Sequence, residues 1–422
     1  MVEQPEFGRR LREIRSARGL SQSDVAGKGL SPSYISLVES GNRTPSPKAV
    51  RAIAERLGVT VDDLTAPAPQ ERQRVHRVEV VGRLIAARSL QAAGDLARAR
   101  EELLDVVRQA GDSGLDEIRW EAGWELALVL GRLGRDEEHE EALRSLLADP
   151  LTGSSPLLRA RVAVETADML RRTGRLSESV RLAEEALEGV PADAAERVQA
   201  QISLLSGRLE SGEWERAAGL CEELLASAET LPPGQLRATA LWVAAEHRFA
   251  MGDTEQALTL VDRAVSLTGP DAGTGTRVRM LWAAALLHLA AGRDDTADAL
   301  TERTGQTVTV LGTPADAARL AMLRTLTAYR RGDVEDALEQ ARTAAATDAE
   351  LPPLDRARCA LAGARAQRAA GHRSAAEAGY RTAAALYETA GAFRSAAAVW
   401  RELSVPDGAP SGAADPLAVV TP

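Results

Sequence analysis

Glycine recurs along this 422-residue chain at a nearly constant interval of about 40 residues. Each of these glycines is followed by a polar or charged residue and then by a stretch that is compatible with a helix. A fixed period of this length is the signature of a repeat array in which each repeat is one helical hairpin and glycine permits the turn. The periodic positions are Gly94, Gly134, Gly174, Gly212, Gly252, Gly292, Gly332 and Gly371.

Two columns of small residues keep a fixed distance from these glycines. Six of the eight residues seven positions before the glycine are alanine, and so are six of the eight residues five positions after it. Small side chains allow two helices to cross closely, so the columns mark the contact inside each hairpin. The pattern resembles the tetratricopeptide repeat, with a period longer than the usual length of about 34 residues. The alternative is another α-solenoid that is built on the same principle.

A different pattern occupies residues 1–66, where helix start and stop signals are dense. Residues 7–18 form an amphipathic segment, and Ser21 is placed to cap a short second helix. Ser31-Pro32 and Ser46-Pro47 each combine a capping residue with proline at the first helical position. Gly58 ends the fourth helix, and a last short helix follows. The sequence predicts an all-α chain that begins with five short helices.

The motif in this segment is Leu20-Ser21-Gln22 followed by residues 31–45, which read SPSYISLVESGNRTP. It resembles the XRE (Cro/C1-type) helix-turn-helix family, which implies a five-helix lambda-repressor-like DNA-binding domain. The turn between the second and third helices is one residue shorter than is usual in the family and contains Gly27 and Gly29. Arg15 and Glu39 match a structural ion pair that joins the first and third helices in this family.

The third helix is the expected recognition helix in the major groove of double-stranded DNA. Because Ile35 and Val38 point inward, the other side of the helix faces the bases. The resemblance implies phosphate contacts from the residues around this helix, and the alternative for Gln22 and Ser33 is simple helix capping. The predicted DNA-binding residues are Gln22, Pro32, Ser33, Tyr34, Ser36, Leu37, Asn42, Arg43, Thr44 and Lys48.

Charge and composition indicate which classes of function are compatible with this sequence. Residues 1–66 carry ten Lys and Arg against eight Asp and Glu, so this segment is +2 in a chain of net charge −10. A basic head on an acidic body suits specific DNA binding, since the acidic body discourages non-specific binding. Two isolated cysteines, no signal sequence and no long apolar run predict a cytoplasmic protein that does not enter a membrane. The five scattered histidines and the missing phosphate loops predict no metal site, no cofactor and no enzymatic activity.

In a tetratricopeptide-like array the first helix of each hairpin lines a concave groove. Counting back from the glycines predicts an apolar floor beside a run of arginines, suited to a peptide or an acidic small molecule. The alternative is that these aromatics pack between repeats and that the arginines pair with neighbouring carboxylates. The predicted ligand-binding residues are Trp242, Phe249, Trp282, Met322, Tyr329, Arg279, Arg319, Arg358 and Arg365.

The combination resembles actinobacterial regulators of the same architecture and, more distantly, the peptide-sensing quorum regulators. Peptide sensors hold the peptide backbone with groove asparagines, whereas Asn42 is the only asparagine of this chain. We expect a DNA-binding domain at 1–66, a linker at 67–75, about eight repeats at 76–402 and a disordered tail at 403–422. The predicted function is a homodimeric, sequence-specific transcriptional regulator whose repeats mediate dimerisation and sense a ligand or partner. The alternative is an adaptor that recruits a protein through its repeats, with DNA binding secondary.

Overall fold

A computed structural model of the chain describes residues 4–27, 29–65, 69–191, 195–268, 274–346 and 351–405. The regular elements of these residues are helices, which confirms the predicted all-α class. Residues 1–122 and residues 123–422 form two compact units. The first five helices are α1 Glu6–Ala17, α2 Gln22–Val25, α3 Pro32–Glu39, α4 Pro47–Leu57 and α5 Val61–Thr65.

The helix starts of this head follow the predicted capping residues. Ser21, Ser31 and Ser46 each accept a hydrogen bond from the backbone N–H three residues later, so the first turns of α2, α3 and α4 are capped. The predicted short turn before α3 is closed by two backbone hydrogen bonds of 2.8 and 2.9 Å between Gly27 and Leu30. A Cβ on Gly27 would lie 2.4 Å from the Arg56 guanidinium, so a larger residue there would displace the Arg56 side chain.

The remaining helices form pairs around the periodic glycines. In unit 1 the pair is α6 Pro69–Ala92 and α7 Leu96–Asp112, and α8 Asp116–Arg132 spans the boundary between the units. Further along the chain come α9 Asp136–Ala148, the short α10 Pro150–Ser154, α11 Pro156–Arg172, α12 Leu176–Glu188, α13 Ala195–Ser211 and α14 Ala218–Thr230. They are followed by α15 Gln235–Ala250, α16 Thr254–Leu267, α17 Thr274–Ala290, α18 Asp294–Leu311, α19 Pro314–Arg331, α20 Val334–Ala345, α21 Pro353–Ala369, α22 Arg373–Ala390 and α23 Phe393–Ser404.

The predicted repeat turns and small-residue columns are confirmed. At all eight periodic glycines φ lies between 67° and 87°, a left-handed conformation that glycine adopts without steric cost. Every residue of the two columns is at most 3% exposed. Positions of the two columns that hold a residue other than alanine are also buried. Ser179 donates a hydrogen bond of 2.7 Å to the Ala167 carbonyl, and burial lowers the pKa of His139 to about 4. The described residues therefore form eight successive tetratricopeptide-like helix pairs.

The last helices of unit 2 pack against much earlier turns of the same unit. The Arg394 guanidinium of α23 stacks 3.9 Å from the Trp214 ring and donates to the Gly212 carbonyl and to Glu215, both at 3.1 Å. A Cβ on Gly174 would lie 3.3 Å from Ala390, at the end of α22. These contacts join α22 and α23 to the turns at Gly174 and Gly212. The helices between these turns and α22 therefore enclose a space.

Two predicted boundaries differ from the structure. α6 begins at Pro69, so residues 69–75 of the predicted linker are helical, because the repeats start there with a helix rather than a loop. At the other end α23 continues to Ser404, and residues 406–422 of the predicted tail lie outside the described residues. Among the described residues, no helix combines the length and the apolar character that crossing a bilayer requires.

Candidate DNA-binding surface and solenoid cavity

The exposed side of α3 is built from short side chains. Ile35 and Val38 are fully buried in the head core and fix the rotation of the helix. The opposite side is open to solvent, and Leu37 is 43% exposed on it, an unusual position for a leucine. The exposed residues of α3 are Pro32, Ser33, Ser36 and Leu37, four of the predicted DNA-binding residues.

The loop that follows α3 is held by its backbone. The Leu37 carbonyl accepts hydrogen bonds from the backbone N–H groups of Asn42 and Arg43, and the Gln4 amide donates to the Arg43 carbonyl at 2.8 Å. The Arg43 guanidinium lies 5.0 Å from the centre of the Tyr34 ring, which is half-buried at the edge of α3. The side chains of Asn42, Arg43, Thr44 and Lys48 are exposed beside α3.

The expected ion pair between α1 and α3 is present. Arg15 donates to both carboxylate oxygens of Glu39, at 2.6 and 3.2 Å, and the Glu39 side chain is only 4% exposed. The hydrogen bond to Glu39 raises the pKa of Arg15 above its ordinary value. Gln22, a predicted phosphate contact, donates its amide to Glu39 at 2.7 Å. The structure thus places Gln22 in the network that positions α3.

Unit 2 contains a cavity of about 760 Å³ on the inner side of its hairpins. Apart from Pro352, which precedes α21, its walls come from the first helices of successive pairs. The contributing helices are α8, α11, α13, α15, α17, α19 and α21. Five of the nine predicted ligand-binding residues line this cavity: Trp242, Trp282, Arg279, Arg319 and Arg358.

The other four predicted ligand-binding residues lie outside the cavity wall. Met322 is buried in the main core, and Phe249 and Tyr329, near their turns, pack against neighbouring apolar residues. Arg365 is 1% exposed, and its guanidinium donates to both Glu402 oxygens at 2.8 and 2.9 Å. Arg365 therefore pairs with a neighbouring carboxylate, which was the alternative to ligand binding. These four residues therefore support the fold around the cavity.

Sequence reasoning missed a chain of alternating charges at the cavity. Arg171 pairs with Glu210 at 3.0 Å, and Arg358 lies 4.0 Å from Glu210 and 3.0 Å from Asp355. Arg319 extends the chain through Asp355 at 2.7 Å. These contacts tie α11, α13, α19 and α21 together across the cavity, so residues far apart in sequence hold its walls.

A repeat-based signal for two missed acids was present in the sequence. Asp168 and Glu246 both lie six positions before a periodic glycine, as does Ser206, and all three line the cavity. The groove prediction rests on the columns ten and thirteen positions before the glycine, and nearer the turn it includes only Phe249, Tyr329 and Arg365. Extending the count by one helical turn toward the glycine finds these polar residues, because they lie on the same helix face.

Two groups in the cavity have shifted pKa values. Within the described part of the chain no carboxylate lies within ion-pairing distance of Arg279, and its guanidinium is exposed to the cavity. Burial by the walls, and then the charges of Arg319 and Arg171, lower the pKa of Arg279 below its ordinary value. Burial raises the pKa of Glu246 to about 8, so this carboxyl is largely protonated at neutral pH while it accepts a hydrogen bond of 2.7 Å from Trp242.

A cysteine in the same unit has no reactive character. Cys221 is fully buried, and burial raises the pKa of its thiol to about 11. A thiol becomes a nucleophile only as the thiolate, so this cysteine acts as a small core residue.

Comparisons with known proteins agree with this geometry. A family model described as a helix-turn-helix domain matches residues 6–67. The HTH-type transcriptional regulator DdrOP3 of Deinococcus deserti is 43% identical over 56 residues, which are 13% of this chain and 43% of DdrOP3. This match spans less than half the length of DdrOP3. An uncharacterized HTH-type transcriptional regulator of Bacillus subtilis, YazB, is 34% identical over 67 residues, which are 16% of this chain and 97% of YazB.

The head and its exposed α3 define the chain as a helix-turn-helix DNA-binding protein. It belongs to the HTH-type transcriptional regulators, a family of regulators and not of enzymes. A solved structure similar to a larger part of the chain is a Rap protein complexed with competence and sporulation factor. It covers 77% of this chain and 96% of its own, with a TM-score of 0.52 and 13% identity. At that identity the similarity shows the fold alone.

Proposed function

We propose that this regulator is of the XRE type, binds double-stranded DNA sequence-specifically as a homodimer, and senses an acidic ligand in the cavity of unit 2. The observation that carries the proposal is the exposed face of α3, with four short side chains beside a fixed basic loop. A helix of this kind enters the major groove with its N-terminal residues toward the bases.

The residues of the α3 face indicate how DNA is read. Ser33 and Ser36 can donate or accept hydrogen bonds, and Leu37 fits a thymine methyl. The exposed face carries no arginine or glutamine for bidentate base contacts. We therefore expect direct readout to be modest and the shape of the DNA to supply part of the discrimination.

The residues around α3 supply the phosphate contacts in this proposal. Asn42, Arg43, Thr44 and Lys48 are exposed on one side of the head. Such contacts set the register of the protein on DNA and carry little sequence information. Gln22 acts mainly by holding Glu39, and hence α3, in place.

The cavity supports a ligand with a negatively charged group. Arg279 offers an unpaired guanidinium, and planar donors of this kind bind carboxylates and phosphates in pairs of hydrogen bonds. Trp242 and Trp282 supply apolar surface next to it, and their indole N–H groups are already bonded to Glu246 and to the Arg319 carbonyl. The predicted ligand is thus an acidic small molecule or a peptide with an acidic group, held beside two aromatic walls.

Ligand binding would regulate DNA binding by favouring one arrangement of the two heads of the dimer. A ligand shifts such an equilibrium only by its difference in affinity for the two arrangements. The sign of regulation therefore depends on which arrangement fits the DNA half-sites.

The experiment is selection of sheared DNA from the source organism by the purified full-length protein at physiological salt, followed by sequencing. We expect a shared motif with two related half-sites, since a dimeric head reads pseudo-palindromic DNA. Recovery of random fragments, both in buffer and with cell extract added as a ligand source, would contradict the proposal. A single stoichiometric protein in a parallel pull-down would then favour the adaptor alternative.

A charge substitution tests the assigned phosphate contacts. Arg43→Gln with Lys48→Gln should weaken binding to all sequences and flatten the logarithmic salt dependence by about 2, roughly 0.9 for each lost phosphate contact. The matched control is Arg293→Gln with Arg381→Gln, two exposed arginines of unit 2 that already pair with Glu255 and Glu377. An unchanged salt slope in the head variant would refute the phosphate role.

A further inference from the structure

One side of α6 exposes apolar residues at alternating intervals of three and four residues. Val75, Val78 and Ile85 are 53%, 65% and 57% exposed. Gly82 lies between them, and a Cβ built on it would meet no heavy atom within 4 Å. The spacing 75, 78, 82, 85 is that of positions a and d in a heptad repeat, the pattern of a two-stranded coiled coil. We call these four residues the α6 seam.

The hairpin itself uses a different side of α6. Val80, Leu84 and Ala87 are buried, and Arg83 pairs with Glu102 and Asp105 of α7 at 2.8 and 3.1 Å. The buried residues Val80, Leu84 and Ala87 alternate in sequence with the seam residues, so α6 is apolar on two sides. The folded hairpin covers one side and leaves the other in water, which is costly for a surface of spaced aliphatic residues.

We infer that the α6 seam pairs in parallel with the seam of a second copy of this chain and forms the dimer contact next to the DNA-binding heads. The inference rests on the proposed homodimer and assigns its interface. A heptad seam is complementary to itself, since each a or d residue fits between residues of an identical helix. Gly82 at an a position lets the two backbones approach closely.

The charges beside the seam favour the parallel arrangement. With Val75 at position a, Arg74 is a g residue and Glu79 an e residue. In a parallel pair Arg74 of one copy lies beside Glu79 of the other, and opposite charges there stabilise the pairing. An antiparallel pair would instead bring Arg74 toward the second Arg88, which already pairs with Glu121 of its own hairpin at 2.5 Å, so no opposite charge would be available to Arg74 there.

The place of α6 in the chain fits this role. α5 ends at Thr65 and α6 begins at Pro69, so three residues separate the head from α6, and the seam starts six residues further on at Val75. Parallel pairing would therefore bring two heads to the same end of the coiled coil. A second head held nearby binds its half-site at a high effective concentration, which a single head lacks.

The test is sedimentation equilibrium of the full-length protein without DNA. We expect the wild type to dimerise, and Val78→Glu and Ile85→Glu each to raise the dimer dissociation constant at least tenfold. The matched control is Val310→Glu, since Val310 is 73% exposed near the end of α18 and should leave the constant unchanged. Circular dichroism checks that the variants keep their helix content, as expected for exposed positions. A monomeric wild type at all concentrations, or unchanged dimerisation in both seam variants, would overturn the inference.

A charge exchange tests the parallel register. Arg74→Glu and Glu79→Arg should each weaken the dimer severalfold, and the double variant should restore it, because the exchanged charges again face each other. Failure of the double variant to restore dimerisation would overturn the parallel pairing. Dimerisation is measured without DNA, so the two experiments are independent. Loss of the proposed dimer contact would not change the result of the DNA selection, and a DNA selection without a motif would not change the measured dimerisation.

Discussion

The head and the cavity hold their charged side chains in opposite ways. In the head one part-buried pair, Arg15 with Glu39, joins α1 to α3, and the predicted DNA contacts other than Gln22 lie outside this pair. In the cavity the same charged groups line the site and tie its walls together, from Arg171 to Asp355. Recognition and support are thus separate in the head and shared in the cavity. Arg279 and Arg172 are exceptions, since both line the cavity without a paired carboxylate among the described residues.

The largest expected effect comes from the centre of the cavity network. Asp355→Ala removes the carboxylate shared by Arg319 and Arg358, both largely buried, and leaves Arg319 with Asp316 alone and Arg358 with the more distant Glu210. Breaking a buried pair in this way costs about 3–5 kcal/mol. Urea unfolding followed by circular dichroism measures the loss. The control is Glu377→Ala, whose exposed pair with Arg381 should matter by less than about 0.5 kcal/mol. Equal stability of the two variants would show that the network does not support the walls.

A gain of stability is expected at Glu246. Its folded-state pKa of about 8 lies above the ordinary value of 4.5, so the folded protein binds the extra proton. The stability from this proton is complete below pH 4.5 and is lost as the pH rises through about 8. Glu246→Gln keeps the hydrogen bond from Trp242 and removes the ionisation, so it should exceed wild-type stability by several kcal/mol at pH 8.5, since each pKa unit is worth about 1.4 kcal/mol.

Unfolding curves between pH 4 and pH 9 check this expectation. The difference between Glu246→Gln and the wild type should grow with pH. The control, Glu185→Gln on the exposed side of α12, should show no such trend. A constant difference across the range would mean that Glu246 ionises normally in the folded protein.

The support pair of the head has a smaller expected effect. Glu39→Ala leaves Arg15 and Gln22 without their shared partner. Arg15 is 13% exposed and can turn toward water, so the expected loss is about 2 kcal/mol, less than in the cavity. Scanning calorimetry should show the loss in the transition of the head. Glu13→Ala, on an exposed pair with Arg10, is the control, and an equal effect of both variants would remove the assigned role of the pair.

The same contrast explains what the sequence could predict. The starts of α2, α3 and α4 depend on Ser21, Ser31 and Ser46 and on residues three positions away, so local patterns suffice. The repeat turns are equally local. Trp282 and Met322 occupy the same column of the repeat, yet only Trp282 lines the cavity. Which side of a column faces the cavity depends on how the hairpins rotate along the array, and one repeat does not contain that information.

The long-range contacts were beyond prediction for a related reason. The approach of Arg358 to Glu210 joins residues almost 150 positions apart, and Arg394 reaches back to Gly212 and Glu215. Such contacts depend on the accumulated curvature of several hairpins. The first helices of the pairs line the cavity, as the repeat pattern predicts, but four of the nine predicted residues lie outside its wall and the partners of the others were missed.

The smallest expected effect on stability, and the sharpest test of the comparison, is Arg279→Gln. The residue is exposed, lies among other arginines and pairs with no carboxylate of the described residues, so the free energy of unfolding should change by less than about 0.5 kcal/mol. Ligand binding should be lost all the same. Melting temperatures with a panel of acidic small molecules and short acidic peptides give the readout, since a ligand that binds the folded state raises the melting temperature.

The expected result is at least one compound that raises the melting temperature of the wild type and not of Arg279→Gln. Arg293→Gln, which removes an exposed charge that pairs with Glu255 outside the cavity, should keep the wild-type response. If Arg279→Gln instead unfolds as readily as Asp355→Ala, Arg279 belongs to the support of the walls like its neighbours. The cavity would then consist entirely of structural pairs, and the search for a sensing site would have to move to another surface of the chain.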